Sequence, residues 1–208
     1  SRANPAAVLL YTSGTTGRPK TVALSDQNLL SNAEGCRQAA GFGDEEVMLA
    51  ILPLFHAYGL TVTLLLPLIS GGTVVLQERF LPRRVLEAIE RLRVTSLVAV
   101  PGQYRLLVKE AFRADAASLR FCISGAERLS EIVARDFEAR FGLPILPGYG
   151  ATEASPVISL SAPGAHRAGS VGRPLPNLRV TLREGDREAA AGESGDIWVE
   201  GPSVMLGY

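Results

Sequence analysis

Short, nearly continuous apolar segments alternate with amphipathic ones along most of the chain. The strand-like segments are, in order, AVLLYT from Ala7, TVAL from Thr21, EVMLAILP from Glu46, TVVL from Thr73, SLVAV from Ser96 and LRFCIS from Leu119. Such segments are typical of strands that are buried on both faces, and AVLLYT is predicted to be one of them. Strands alternating with helices predict an α/β fold, with a mostly parallel sheet flanked by helices.

The intervening segments have helical periodicity. The first predicted helix runs to about Ala40, with Ser25 or Asp26 as its cap and Gly41 and Gly43 at its end. Further helices are predicted at 56–69, where the sequence HAYGLTVTLLLPLI predicts a buried helix, at 82–93, after Pro101, and at 130–141.

The pattern changes near residue 157, where Gly, Pro and short alternating segments such as NLRVTL and GDIWVEG begin. We therefore expect residues 1–156 to form the α/β core and residues 157–208 to form a smaller β-rich continuation of the same large domain.

Composition narrows the classes of function. Lys plus Arg and Asp plus Glu both number 21, and this zero net charge gives no support to a nucleic-acid or anionic-membrane partner. Cys36 and Cys122 form no CxxC pair, so neither a disulfide framework nor a zinc site is indicated, and a cytoplasmic location is expected. The most apolar segment, 60–69, is far shorter than the ~20 residues that a spanning helix needs.

The segment YTSGTTGRPK, residues 11–20, combines small, hydroxyl and cationic residues. Its backbone N–H groups and Lys20 would suit a bound phosphate, but Ser, Thr, Gly and Pro are also ordinary residues of a hairpin turn. It differs from a P-loop, since only two residues separate Gly14 from Gly17 and Pro19 precedes the lysine.

Other segments favour the phosphate interpretation. YTSGTTGRPK resembles the phosphate-binding signature of the adenylate-forming superfamily, which includes acyl-CoA synthetases, luciferases and peptide-synthetase adenylation domains. Five further segments resemble that family's motifs in the family's order: PLFHAYG (53–59), SGAERLS (124–130), GYGATEASP (148–156), GSVGRPLPN (169–177) and GESGDIWVEGPSVMLGY (192–208). Together the six matches span nearly the whole chain and imply part of an acyl-CoA synthetase-like large domain.

The resemblance implies a two-stage reaction. A carboxylate attacks the α-phosphate of ATP with Mg²⁺ present, giving an acyl-adenylate and pyrophosphate, and the acyl group then passes to the thiol of CoA or of an acyl carrier protein. Residues 1–156 would then be the ATP- and acyl-binding core.

The resemblance also implies site residues. The loop residues that would steady the β- and γ-phosphates are Thr12, Ser13, Gly14, Thr15, Thr16, Gly17 and Lys20. The residues that would surround the adenine are Gly125, Ala126 and Glu127 on one side, and Gly148, Tyr149, Gly150 and Ala151 on the other. Three residues would act at the reacting groups: Thr152 donating to the α-phosphate, Glu153 ligating Mg²⁺, and His56 beside the carboxylate.

Differences from the family's usual motifs indicate one branch of that family. Thr21 stands where the family usually has Gly, and Asp26 replaces a common His. Glu127 stands where many acyl-CoA synthetases have Pro, which is closer to acyl-acyl-carrier-protein synthetases and fatty acyl-AMP ligases. A fatty or other apolar acid is therefore expected; the helix after Gly59 and residues 98–101 would either line its tunnel or simply pack in the core.

Two alternatives remain at this stage. The chain could be a non-catalytic nucleotide- or acyl-binding module that has kept the fold without turnover, although intact Lys20, Thr152 and Glu153 argue against loss of chemistry. A P-loop NTPase is disfavoured by the loop spacing and would show no dependence on a carboxylic acid.

The family also has a ribose-binding aspartate after the closing GY, a hinge and a lysine-bearing C-terminal domain, none of which lies in the 208 residues. We therefore predict that the chain as given binds nucleotide weakly and turns over poorly. ATP–pyrophosphate exchange measured on these 208 residues is the check, and robust exchange would refute the prediction.

Overall fold

A computed structural model describes residues 5–12 and 19–208. The chain begins with an antiparallel hairpin of β1 (Ala6–Thr12) and β2 (Lys20–Ser25). The prediction that the first strand is buried on both faces is wrong, since Leu9 is 60% exposed and Tyr11 73% exposed. The physical reason is that the hairpin lies outside the main sheet, so only alternate residues of β1 pack inward, against β2 and the helix that follows.

Helix α1 (Asp26–Ala40) has well-formed ends. Ser25 is its N-cap: the Ser25 hydroxyl accepts from the Asn28 N–H, and the Asn28 side chain accepts in return from the Ser25 N–H. The helix ends at Gly41, whose φ of 65° lies in the left-handed region that glycine adopts without strain.

The centre of the fold is a sheet formed by seven strands of the described chain. They are β3 (Val47–Ala50), β4 (Thr73–Leu76), β5 (Ser96–Ala99), β6 (Phe121–Ser124), β7 (Leu146–Gly150), β8 (Val157–Leu160) and β9 (Arg173–Pro174). Their order is β4-β3-β5-β6-β7-β8-β9; pairing is parallel from β4 to β7, whereas β8 and β9 add antiparallel. The predicted mostly parallel α/β architecture is confirmed.

Helices cover both faces of this sheet. One face carries α3 (Pro82–Leu92), α4 (Pro101–Lys109) and α5 (Glu131–Phe141). The other face carries α1, a π-helix (Gly59–Leu65) and the short α2 (Leu66–Ile69). Successive strand residues divide between the two cores: Leu97 and Ala99 pack with α3 to α5, and Val98 packs with α1.

The segment after His56 is helical as predicted, but its first part is a π-helix. A glycine is required at its start, since a Cβ on Gly59 would lie 2.2 Å from the Pro53 carbonyl oxygen. Close approach of the helix to the end of β3 is therefore possible because residue 59 has no side chain.

A smaller antiparallel sheet follows in the last part of the described chain. It contains β10 (Arg179–Glu184), β11 (Arg187–Glu188) and β12 (Asp196–Glu200), in the order β11-β10-β12. Over residues 5–12 and 19–208, no helix combines the length and apolarity that a bilayer crossing would require.

An ion pair between a buried carboxylate and a half-exposed arginine lies at the amino-terminal edge of the parallel strands. The Glu46 carboxylate is fully buried, and its Oε1 lies 2.7 Å from Arg120 Nη1. The Ser96 hydroxyl donates to Oε2 at 3.0 Å, and Thr95 donates to the same oxygen. Because these partners stabilise the charge of the buried carboxylate, the pair is part of the framework of the sheet.

Two asparagines of α1 hold distant parts of the chain. Asn32 is fully buried; its Nδ2 donates to the carbonyl oxygens of Ala154 (3.0 Å) and Val157 (2.7 Å), and its Oδ1 accepts from the Val157 N–H at 3.1 Å. One turn earlier, Asn28 Nδ2 donates to the carbonyl oxygens of Pro202 and Val204, both at 2.8 Å. Helix α1 therefore fixes the segment that joins β7 to β8 and the closing segment of the chain.

We predict that Asn32→Ala lowers the free energy of unfolding by about 2–4 kcal/mol, because buried groups of residues 154 and 157 lose their partners. Urea unfolding of the chain measures this change. The matched control is Gln38→Ala on the same helix, whose side chain makes an exposed hydrogen bond to Glu34; we expect less than about 0.5 kcal/mol there. Equal effects of the two substitutions would contradict the assignment.

Candidate active site

A cavity of about 420 Å³ opens at the carboxyl-terminal edge of the parallel strands. Pro53 follows β3, Val100 follows β5, Gly125 follows β6, and the end of β7 forms a further wall. Ligands of open α/β sheets bind at this edge, because the loops that leave the strands converge there.

Eight of the residues predicted from the sequence line this cavity. They are His56, Gly125, Ala126, Gly148, Tyr149, Gly150, Ala151 and Thr152. They come from three segments that are far apart in the sequence and that resembled three different family motifs. The fold thus brings together residues of the predicted acyl and adenine sites.

Glycines let the backbone of β7 approach its neighbour closely. A Cβ on Gly150 would lie 2.1 Å from the Pro156 carbonyl oxygen, and one on Gly148 would lie 3.2 Å from the Ser159 carbonyl oxygen. Tyr149 between them is 41% exposed, so part of its ring is free to contact a ligand. This alternation gives a tight strand with one aromatic side chain at the cavity wall.

His56 lies at the exposed rim of the cavity, in the turn after β3. Its ring packs against the ring of Phe55 with centroids 4.7 Å apart, and its backbone N–H donates to the Pro53 carbonyl oxygen at 3.2 Å. The other histidine, His166, lies in an exposed loop.

Several predicted residues do not line the cavity. Glu127 is exposed beyond Ala126, and Glu153 lies in the 3-10 turn Thr152–Ala154 beside the cavity. Thr12 and Lys20 face each other across the β1–β2 hairpin. The remaining predicted loop residues, Ser13, Gly14, Thr15, Thr16 and Gly17, lie outside the described residues.

Glu153 and Lys20 meet at a third side chain that the sequence did not single out, Tyr208. The Tyr208 hydroxyl donates to Glu153 Oε1 at 3.1 Å, and Lys20 Nζ lies 4.5 Å from the centroid of the Tyr208 ring. The turn after β7 and the start of β2 are therefore connected through one aromatic residue.

The cavity has an apolar inner part that sequence reasoning only partly anticipated. Val62 and Leu66 lie in the predicted tunnel helix and Val100 at the predicted strand end, but Cys36 and Ala40 of α1 were missed. The available signal was the four-residue spacing of Asn32, Cys36 and Ala40, which places them on one face of α1.

Tyr58 is the buried polar group of this inner part. Its ring lies on Gly125, where an added Cβ would be 2.8 Å from Tyr58 Cζ, and its hydroxyl has no hydrogen-bond partner among the described atoms. Burial raises the pKa of the Tyr58 hydroxyl and raises that of the Cys36 thiol to about 12, so both remain neutral. No Asp, Glu, Lys or Arg is found among the described lining residues.

Comparisons with known proteins identify the class of protein. The family model described as AMP-binding enzyme matches residues 1–208. The sulfoacetate–CoA ligase of Cupriavidus necator is 39% identical over 204 residues, covering 97% of this chain and 40% of that ligase. The long-chain-fatty-acid–CoA ligase of Bacillus subtilis is 38% identical over 211 residues, covering 97% of this chain and 37% of its own length.

Solved structures agree with these relatives. Apo MatB from Rhodopseudomonas palustris superposes with a TM-score of 0.92 at 31% identity, covering 100% of this chain and 42% of MatB. O-succinylbenzoate CoA synthetase (MenE) from Bacillus subtilis, solved with ATP and magnesium ion, superposes with a TM-score of 0.89 at 32% identity, covering 100% of this chain and 43% of MenE.

The chain therefore belongs to the AMP-binding enzyme family, and the family resemblance found in the sequence is confirmed. The curated relatives are CoA ligases for different acids. The chain spans about two fifths of the length of these relatives.

We predict that Gly150→Ala disrupts the candidate site. The added Cβ would overlap the Pro156 carbonyl group, so the strand that carries Tyr149 must shift. Overpacking of this kind costs about 1–3 kcal/mol of unfolding free energy.

Urea unfolding measures this effect. The control is Gly102→Ala in α4, where an added Cβ has no heavy atom within 4 Å; alanine should be neutral or stabilise that helix by up to about 1 kcal/mol. If Gly150→Ala behaved like Gly102→Ala, close backbone packing would not be what shapes this wall.

Proposed function

We propose that the protein activates a carboxylic acid with ATP, forming an acyl-adenylate that is passed to a thiol. The observation that carries this proposal is the shared cavity, in which Tyr149 and Thr152 of one motif lie with His56 of another and Gly125 of a third. Such a cavity holds a nucleotide and an acid side by side, which is the requirement for direct attack of one on the other.

The nucleotide would lie along the walls formed by β6 and β7. Gly125 and Ala126 follow β6, and the partly exposed ring of Tyr149 offers a face for stacking against adenine. Its phosphates would extend toward Thr152 and then toward Lys20, which stands at the end of the loop 11–20. Lys20 would neutralise phosphate charge, and Thr152 would donate to the α-phosphate.

In the reaction, a carboxylate oxygen of the acid attacks the α-phosphorus. The new oxygen–phosphorus bond forms as the bond between the α-phosphorus and the bridging oxygen breaks, so pyrophosphate leaves with the bonding electrons. His56 would lie beside the incoming carboxylate at the rim, and the Thr152 hydroxyl would stabilise charge that grows on the α-phosphate oxygens. The apolar inner part excludes water from the adenylate.

Glu153 fits a magnesium ion that is shared with ATP. Within residues 5–12 and 19–208 there is no group of three or more His, Cys, Asp or Glu side chains that could hold a metal alone. Mg²⁺ is commonly held by one or two carboxylates together with substrate phosphates and waters, and Glu153 supplies such a carboxylate beside Thr152. Bound Mg²⁺ would supply charge neutralisation at the phosphates.

The acid is proposed to be a fatty or other apolar acid. This is supported by the inner lining, where aliphatic side chains predominate and Cys36 and Tyr58 are neutral. A second anionic group on the substrate would find no Lys or Arg among the described lining residues. The CoA ligases among the relatives support CoA as the acceptor, and an acyl carrier protein is the alternative from the sequence.

The test is acid-dependent ATP–pyrophosphate exchange by the longest natural polypeptide that contains this sequence. We expect exchange with fatty and other apolar acids, little with malonate or sulfoacetate, and loss of about 100-fold in Thr152→Ala, since one oxyanion donor is removed. Omitting Mg²⁺ should abolish exchange.

The matched control is Thr73→Ala, which removes an exposed hydroxyl at the start of β4, the opposite end of the strands from the cavity. It should leave exchange unchanged. ATP hydrolysis at a rate that does not change with any added carboxylic acid would refute acid activation. Preference for a dianionic acid would refute only the proposed class of substrate.

A further inference from the structure

Tyr208 contacts two side chains of opposite charge at the edge of the candidate site. Its hydroxyl donates to Glu153 Oε1 at 3.1 Å, while the ammonium of Lys20 lies over its ring at 4.5 Å from the centroid. Over the described residues, Lys20 and Glu153 do not approach each other within the 4.0 Å of an ion pair. Tyr208 therefore contacts the Lys20 cation with its ring and the Glu153 carboxylate with its hydroxyl.

The backbone holds Tyr208 in this place from two sides. On one side, the Leu206 N–H donates to the Ala23 carbonyl oxygen at 2.9 Å, and the Ala23 N–H donates to the Gly207 carbonyl oxygen at 3.0 Å. On the other side, the Met205 N–H donates to the Glu153 carbonyl oxygen at 2.9 Å. The same segment therefore bonds to β2, which carries Lys20, and to the turn that carries Glu153.

A further bond ties this segment to the turn. The Ser155 hydroxyl is buried and donates to the Ser203 carbonyl oxygen at 2.7 Å. Together with the bonds that Asn28 of α1 makes to Pro202 and Val204, it fixes residues 202–205 before the chain reaches Tyr208. These hydrogen bonds therefore set the position of the Tyr208 ring without the charged groups of Lys20 and Glu153.

We infer that Tyr208 is a positioning residue for the ATP·Mg²⁺ site, orienting the Glu153 carboxylate toward the metal and keeping the Lys20 ammonium free for phosphate. The inference rests on the proposed function, because it assigns Glu153 to the metal and Lys20 to the triphosphate.

The chemistry of the contacts supports these roles. Glu153 Oε1 accepts from Tyr208, which orients the carboxylate, and among the described residues no hydrogen bond to Oε2 is found, so this oxygen is available to a metal. A cation over an aromatic face is held weakly enough to move onto a phosphate. Without the ring, Coulomb attraction would draw the Lys20 ammonium toward the Glu153 carboxylate.

The experiment compares Tyr208→Phe with Tyr208→Ala in the longest natural polypeptide that contains this sequence. Calorimetry of ATP binding over a series of Mg²⁺ concentrations is the first readout, and pyrophosphate exchange is the second. Tyr208→Phe loses the hydroxyl but keeps the ring; it should raise the half-saturating Mg²⁺ concentration about threefold to tenfold and leave ATP affinity at saturating Mg²⁺ within about twofold.

Tyr208→Ala also loses the ring and should weaken ATP binding by a further factor of about three to ten at saturating Mg²⁺. In a Glu153→Gln background, Tyr208→Phe should shift the half-saturating Mg²⁺ concentration less than about twofold, because the Tyr208 hydroxyl acts through the Glu153 carboxylate. A control in the same segment is Leu206→Ala, whose side chain is 49% exposed and whose backbone bond to Ala23 is retained.

Unfolding midpoints of all variants separate positioning from loss of structure. Variants that bind Mg²⁺ and ATP as tightly as the wild type would overturn the role of Tyr208, and tighter binding would show that the tyrosine blocks the site. A wild type that binds ATP but shows no acid-dependent exchange would overturn the proposed function alone. A wild type that binds no ATP would overturn both.

Discussion

The candidate site depends on the hydrogen bonds that Asn32 makes from the middle of α1. Its side chain satisfies the backbone at Ala154 and Val157, on either side of the point where the chain reverses between β7 and β8. Where a buried segment reverses direction, its backbone N–H and C=O groups must find hydrogen-bond partners inside the protein. Because the buried side-chain amide of Asn32 supplies these partners, the backbone that carries Thr152 and Glu153 has a fixed direction after β7. Asn28 repeats the arrangement one helical turn away for the closing segment.

The parallel sheet supplies the second constraint. Strands β3, β5, β6 and β7 all run in one direction, so the segments that follow them emerge at one edge. The polar walls of the cavity come from backbone and from small residues of these segments, and its apolar end comes from α1 and the π-helix. At the opposite edge, Glu46 and Arg120 form an ion pair with hydroxyl partners, and it serves the framework. One edge of the sheet therefore carries the candidate site, and the other carries contacts that belong to the framework.

Sequence reasoning predicted the elements well where local pattern decides them. The ends of α1 follow from a serine cap and a left-handed glycine, and the amphipathic segment at 82–93 became α3. It was wrong about β1, since an apolar run looks the same whether a strand is central in a sheet or belongs to a hairpin packed on one face. It also did not find Tyr208 as a partner of Glu153 and Lys20, because these three residues lie far apart in the chain and no spacing relates them.

By itself, the sequence determined the family and the α/β class, because ordered motifs and strand-helix alternation are properties of the chain read in one dimension. It also proposed eight of the residues that line the cavity, among them His56, Gly125 and Thr152, since these belong to those motifs. Only the tertiary structure decided which of the proposed residues share one cavity, that Cys36 and Tyr58 close its apolar end, and that Glu153 lies beside it. The physical reason is that these contacts are made by elements whose relative positions are set by sheet order and by buried hydrogen bonds, and neither is encoded in any local segment.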